Sequence, residues 1–260
     1  MSVPELGPRF HGEPPRYLTS PLLARAGLPH LFTTRHFPGI RPWRDPAGPF
    51  EERALELLAS RGLGDEAVAF LRQVHGAKVL TARRAGLAGR ADILITDRAG
   101  LPVAIFTADC LPIVVYDQRN RRLAVAHAGW RGTVEAAARV AVAALVKAGG
   151  QPDRFLAAIG PSIGPCCYEI DAPVIDPLAA AFPDAWRRWV TAAGPGKWML
   201  DLWKANEAQL KEAGLSEAQI DNPRLCTACR TDLFFSYRRG QGQGRLVAVA
   251  AIPGGSDPAC

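Results

Sequence analysis

Histidine and methionine are scarce in this chain, five and two among 260 residues, and no two histidines stand as His-x-His. No apolar run approaches the roughly 18 residues a membrane helix needs, so no membrane partner is expected. The first residues, MSVPELGPRFHGEPPRY, lack the basic-then-apolar layout of a secretory signal, and a cytoplasmic protein is expected. Cysteine is sparse too: Cys110, Cys166, Cys167, Cys226, Cys229 and Cys260. In a long chain without an export signal, reduced thiols are expected rather than a disulfide framework. A zinc-finger spacing, an aromatic-bearing RNA signature and a long basic tail are all missing, so nucleic acid is not expected as a partner despite a net charge of +6. The basic pairs Arg83-Arg84, Arg121-Arg122 and Arg238-Arg239 are scattered beside apolar segments. They suit a soluble surface or an anionic small ligand such as phosphate.

What is present is the composition of an ordinary globular protein, with 48% hydrophobic and 22% charged residues. Residues 1–21 hold five prolines and are expected to lie over the surface as an irregular arm, with one domain over 22–260. A first helix is predicted over 50–61, acidic in its first turn and stopped at Gly62. From 92 to 128 come short runs rich in Val and Ile (DILITD, PVAIFTAD, PIVVYD, RLAVAHA), each bounded by Gly, Pro, Asp or Arg, as buried strands are. An alanine-rich helix is predicted over 134–148, with Thr133 as its cap. RFLAAIGP and RLVAVAAI read as further strands, and helical segments are expected near 173–190, interrupted by Pro177 and Pro183, and at 202–213. Strands and helices alternate without a regular βαβ period. The fold class is therefore α/β, a layered domain with mixed sheets rather than a Rossmann fold.

Of the five histidines, His11 and His30 are expected to be solvated and His36 lies in a loop with Phe37, Pro38 and Gly39. His75, in FLRQVHGAKV, and His127, in RLAVAHAGWRG, sit at strand edges beside glycine, and Cys110 ends a strand in FTADCLPIVV. Strand ends before loops are where open α/β sheets place their sites. Two imidazoles and a thiolate make a good zinc set, and three protein ligands leave a fourth position open for chemistry. The alternatives are a buried cysteine with two satisfied histidines, or a metal-free pair with Cys110 as nucleophile and His127 as base. Asp109, beside Cys110, is a candidate general acid or base, or a partner that orients a metal-bound histidine. Arg131, in AGWRGT just before a predicted helix start, would suit phosphate or carboxylate, or would tie down the loop. The Cys226-x-x-Cys229 pair has no second CxxC or CxxH to complete a zinc site, and it is taken as structural or as lining a pocket. Cys166 and Cys167 are adjacent, and from an extended chain they cannot both point into one site.

Taken together, QVHGAKV (73–79), ADILITD (91–97), TADCLPIVVYD (107–117), AHAGWRGT (126–133), IGPSIGPCCYEI (159–170), LDLWKANEAQL (200–210) and CTACRTDLFFSYRR (226–239) resemble the YfiH family, proteins once labelled multicopper polyphenol oxidases or laccase-domain proteins. The resemblance covers about residues 70–252. It implies a layered α/β/α-type sandwich of mixed sheets and one zinc on His75, Cys110 and His127. It also implies a purine nucleoside phosphorylase acting on adenosine, inosine and methylthioadenosine, with adenosine deamination as a further activity. Some members are described instead as peptidoglycan editing factors. TTRHFPG (33–39) resembles the family's TTR-plus-glycine loop and makes Arg35 a substrate-binding candidate beside Arg131. After it, the family's SLNLG-like segment is replaced by IRPWRDPAGPF.

Laccase chemistry needs a blue-copper set and a trinuclear cluster, hence many histidines, and five without a His-x-His pair do not supply them. A zinc-dependent purine nucleoside enzyme with phosphate as co-substrate is the expected function. The alternatives are a metal-free Cys110–His127 hydrolase or amidase in peptidoglycan editing, and a non-enzymatic factor in which zinc only holds strands together.

Overall fold

The computed structural model describes residues 7–42, 45, 48–64, 67–240 and 244–254. Its seven-stranded sheet runs in the order β1 (Arg9–His11), β2 (Tyr17–Thr19), β3 (His30–Thr33), β16 (Leu246–Ala250), β8 (Val103–Thr107), β4 (Ala69–Arg72) and β6 (Gly86–Arg90). A six-stranded sheet has the order β15 (Ile220–Asp221), β11 (Phe155–Ile159), β9 (Leu111–Asp117), β10 (Arg122–Ala128), β7 (Ile93–Thr96) and β5 (Val79–Thr81). Both are mixed: β4 runs parallel to β6 and β8, β5 parallel to β7 and β11 parallel to β15, while the other neighbours are antiparallel. A small sheet of β12 (Glu169–Ile170), β14 (Lys197–Leu200) and β13 (Val190–Gly194) lies apart. The helices are α1 (Pro21–Arg25), α2 (Glu52–Ala59), α3 (Trp130–Val134), α4 (Ala137–Lys147), α5 (Ala172–Ala181) and α6 (Leu202–Glu212).

The two large sheets stack face to face, and helices cover their outer faces. This explains why the central strands read as unbroken apolar runs: each is buried on both sides. In β9, Ile113 and Val115 face the core under the helices, while Val114 and Tyr116 face the core between the sheets. In β10, Ala124, Ala126 and Ala128 meet the alanine-rich α4, and Leu123 and Val125 point the other way. Small side chains on both partners let helix and sheet approach closely. On the far side, Phe106, Val247 and Val249 pack beneath Ala54 and Leu58 of α2. The expected layered α/β domain of mixed sheets is borne out, with a double sheet as its middle. No described helix is long and apolar enough to cross a membrane.

Four local expectations are corrected. The N-terminal arm is not irregular over its described part: β1 and β2 form the edge of the large sheet, because Tyr17 and Leu18 supply two buried side chains between the prolines. The helix expected from 134 to 148 is broken into α3 and α4 at Ala136, which adopts φ 58°. Thr133 lies inside α3 rather than capping, because two buried amides of α6 claim it. Asn206 donates to its hydroxyl (2.9 Å) and Gln209 to its carbonyl (2.8 Å). Helical stretches do occur near 173–190, but Pro177 does not interrupt them: α5 runs through it to Ala181, the break falls around Pro183, and a short helical turn at Trp186–Trp189 leads into the β13–β14 hairpin. His30 is buried rather than solvated: its Nε2 accepts from the amide of Ser20 (2.8 Å) and its Nδ1 bonds to the carbonyl of Leu28 (2.8 Å).

Candidate metal centre

Three chain segments from both large sheets converge on one point. Cys110 sits in the bend where the chain leaves β8 of one sheet and enters β9 of the other. His127 occupies β10 opposite Pro112, and His75 lies in the loop after β4. Their ligand atoms lie within 4.8 Å of one another, and the two imidazole rings meet edge to face with centroids 4.8 Å apart. Cys, His and His at this spacing fit one thiophilic divalent ion with a coordination position left over for a small ligand. The centre grades from exposed His75 to buried His127, so it opens to solvent on one side only.

The residue that builds the centre is Asp92, which sequence reasoning passed over. It is fully buried just before β7. Its carboxylate accepts from three consecutive amides, Val74 (3.2 Å), His75 (2.9 Å) and Gly76 (2.8 Å), and bonds Nδ1 of His127 at 2.8 Å. This one anion fixes the His75 loop, in which His75 takes φ 66°, and turns Nε2 of His127 toward Cys110. Such outer partners set the tautomer and angle of a metal-binding histidine. Gln73 locks the same loop to β8, its side-chain amide exchanging two 2.7 Å bonds with the backbone of Phe106.

The electrostatics are those of a coupled thiol and imidazole. Burial pushes the Cys110 thiol up, but His127 and then His75 outweigh it and bring it down to about 6. Burial works to lower His127, yet the charge of Cys110 and the bond to Asp92 raise it to about 9. In the absence of an ion the pair therefore favours thiolate and imidazolium at neutral pH.

The orienting role foreseen for Asp109 falls to Asp92. Asp109 has φ 88° at the turn before Cys110, and its carboxylate is engaged elsewhere: it accepts from Thr227 Oγ1 (2.6 Å), Ser236 Oγ (3.1 Å) and the amide of Arg238 (2.7 Å). It thereby pins the 226–239 segment against the metal loop and still lines the cavity. Arg35 braces that segment from outside: its guanidinium donates to the carbonyl of Thr231 and lies 5.1 Å from the centre of the Phe235 ring. It is not among the residues around the cavity. Of the stretch that replaces the family's SLNLG-like segment, residues 43, 44, 46 and 47 lie outside the described residues.

The cavity that opens over the triad holds about 540 Å³, within the range of small-molecule sites. Phe106, Trp130 and Tyr168 give it aromatic walls, and Arg131, Arg238 and Arg245 give it cations. Arg131 is exposed and lies 4.2 Å over the Trp130 ring. Arg238 lies 5.0 Å from the centre of Tyr168 and donates to the carbonyl of Glu169 at 2.8 Å. Tyr168 and Arg238 lie inside the family-like segments IGPSIGPCCYEI and CTACRTDLFFSYRR, but nothing local marks either as a site residue; only the fold brings their loops to the triad.

Gly129 is required at the centre, because a Cβ there would sit 2.7 Å from Sγ of Cys110. Gly129→Ala is expected to weaken metal binding on the order of 10–100-fold while the circular dichroism spectrum stays native. Unchanged affinity by chelator competition would show that the thiol is not a ligand.

A second group of donors corrects the reading of the other cysteines. Cys166, Cys167, Cys226 and Cys229 come together with sulfur atoms within 4.8 Å of one another. Cys166 and Cys167 lie in a turn, where successive side chains need not diverge as they do in extended chain. Cys260 lies outside the described residues.

Residues 44–253 match a family model described as multi-copper polyphenol oxidoreductase laccase. A purine nucleoside phosphorylase of Deinococcus radiodurans is 35% identical over 254 residues, covering 90% of this chain and 93% of its own. A protein named adenosine deaminase RL5, from an unknown prokaryotic organism, is 34% identical over 203 residues, 74% of this chain and 77% of its own. Among solved structures, YlmD from Geobacillus stearothermophilus is similar with a TM-score of 0.81 at 30% identity, over 94% of this chain and 98% of that one. The histidines do not assemble as a multi-copper description would require. His11, His30 and His36 bond to Thr19, to Ser20 and Leu28, and to Asp232, away from the triad.

Proposed function

This chain belongs to the YfiH family, whose model bears the laccase description, and from that membership and the cavity we propose that it is a zinc-dependent purine nucleoside phosphorylase. Adenosine, inosine and methylthioadenosine are its substrates, and adenosine deamination is a further activity of the same cavity. The observation that carries this reading is that a Cys/His triad, aromatic walls and three arginines share one cavity. The names of the relatives, phosphorylases and a deaminase, support it.

His75, Cys110 and His127 would hold the zinc, which when bound supplies Lewis-acid polarisation of an oxygen brought to its open position. Asp92 keeps His127 oriented for that task, and Asp109 holds the turn carrying Cys110. Phe106, Trp130 and Tyr168 offer apolar faces to a purine. Arg131, with Arg238 and Arg245 nearby, orients phosphate through paired hydrogen bonds. An oxygen of hydrogen phosphate attacks ribose C1′ as the bond to the purine nitrogen breaks; the base leaves with the proton the phosphate gives up, and ribose 1-phosphate forms (5-methylthioribose 1-phosphate from methylthioadenosine).

A second reading has its own support: the depressed Cys110 thiol and raised His127 are what a metal-free cysteine hydrolase or amidase would use. Metal analysis of the purified protein beside Cys110→Ala, which reads the triad's ion alone, with a nucleoside assay run with and without phosphate, separates the two. The phosphorylase releases free base only when phosphate is present and loses activity on chelation. Base release without phosphate, or none after zinc loading, contradicts it.

Arg131→Lys is expected to raise the KM for phosphate and lower kcat/KM about 10-fold, roughly 1.5 kcal/mol for one charge-assisted contact. Bound zinc should not change, and phosphate-independent deamination should suffer less. Normal phosphate kinetics would leave Arg131 with no role beyond its packing over the Trp130 ring.

A further inference from the structure

The four-thiol cluster stands apart from the triad and is unused by the chemistry above. It is built from two turns far apart in sequence. One carries Cys166 and Cys167, with the amides of Cys167 and Tyr168 both bonded to the carbonyl of Gly164 (3.0 and 3.1 Å). The other runs from Cys226 to Cys229. A parallel bridge between Ser162 and Cys226 fixes the turns in register, with bonds from Ser162 to Leu225 and from Thr227 to Ser162, each 3.1 Å.

The sulfurs have the spacing of ligands around one ion. Sγ of Cys229 lies 3.4 Å from Sγ of both Cys166 and Cys167, and all four fall within 4.8 Å of one another. Tetrahedral zinc with Zn–S near 2.3 Å sets its sulfurs about 3.8 Å apart. A disulfide needs about 2.05 Å and joins only two of the four. Four thiolates on a divalent ion carry net negative charge, and donors for it are present. The amide of Gly164 points at Sγ of Cys226 (3.3 Å), and Nη2 of Arg239 at Sγ of Cys167 (3.7 Å), while Nε of Arg239 is anchored on the carbonyl of Ala228 (3.0 Å). Amide and guanidinium groups aimed at sulfur accompany metal-bound thiolates.

We propose that Cys166, Cys167, Cys226 and Cys229 form a second, structural zinc site that clamps the 160–168 loop to the 226–229 turn. Four sulfur ligands close the coordination sphere, so the ion has no open position for substrate. Its effect on the cavity is mechanical. Ile163 and Tyr168, on either side of the first turn, line the cavity, and Thr227, inside the second, holds Asp109. The clamp sets the distance between that wall and the Cys110 turn.

The test is metal stoichiometry of the full-length protein grown with zinc. Cys110→Ala should retain one tightly bound zinc, and Cys226→Ser/Cys229→Ser should lose one equivalent relative to wild type. Because the double variant removes buried Cys226 and a failure to fold would mask the loss of metal, wild type is also loaded with cobalt(II). The expected spectrum contains the intense sulfur-to-cobalt charge transfer and tetrahedral d–d bands of a tetrathiolate, and these persist in Cys110→Ala. A Cys110→Ala protein that is metal-free and shows no tetrathiolate spectrum overturns the site. So does a disulfide found by mass spectrometry among these cysteines in freshly purified, unreduced protein. Neither result depends on whether the protein is a phosphorylase.

Discussion

Cys110→Ala is expected to lose the metal of the triad and at least a thousandfold in turnover, about 4 kcal/mol of barrier, while the fold survives. The thiol lies in a bend rather than in any of the three apolar cores, so its removal leaves no large cavity in them. The remaining histidines lack the thiolate that makes the site thiophilic, and His127 stays bonded to Asp92. Activity, bound metal and melting temperature measured on one preparation check this. Collapse of the fold together with activity would assign the ion a purely structural role, that of a factor whose strands the metal holds together. Full activity with the triad's ion lost would exclude both readings that rest on this thiol.

Asp92→Asn is expected to damage stability and site together, by about 3–5 kcal/mol for a buried charged network that loses one partner and 10–100-fold in metal affinity. Asp92 has no access to solvent and serves four donors from two segments. An amide in its place turns one acceptor into a donor facing another donor. The pH dependence follows from the same geometry. Burial works against the Asp92 charge, but the bonds from His127 and from the amide of Gly76 prevail and hold the carboxyl below its ordinary 3.8. A carboxyl lowered by folding stabilises above its unfolded pKa, and that contribution is lost as pH falls through the folded value. Denaturation of wild type should therefore steepen below about pH 4, and Asp92→Asn should flatten that limb. Equal acid sensitivity in both proteins would mean that Asp92 is not the group responsible.

The triad was legible in the sequence because its three residues are rare types at strand ends, and strand ends beside glycine are where a layered α/β fold gathers its loops. The strands themselves were legible because burial on both faces leaves unbroken apolar runs. Asp92 was not: nothing local separates it from any acidic residue before a strand, and its partners come from the loop at 74–76 and from β10. Asp109 drew the orienting role by standing next to Cys110 in the chain, but the turn at φ 88° sends its carboxylate to Thr227 and Ser236. The TTR loop marks Arg35 in the sequence, but in the fold its guanidinium meets Thr231 and Phe235. Adjacent Cys166 and Cys167 cannot share a site in extended chain, but they lie in a turn, and a turn is not marked by the cysteines themselves. That Thr133 does not cap reflects bonds from amides of α6, more than sixty residues downstream.

The most direct test of the central claim is an anomalous difference map collected at the zinc edge from crystals of the zinc-loaded protein. A peak is expected between His75, Cys110 and His127, about 2.3 Å from the sulfur and about 2.0–2.1 Å from the two ring nitrogens. An ordered triad with no peak between its ligand atoms would contradict the account and leave Cys110 and His127 as a metal-free pair.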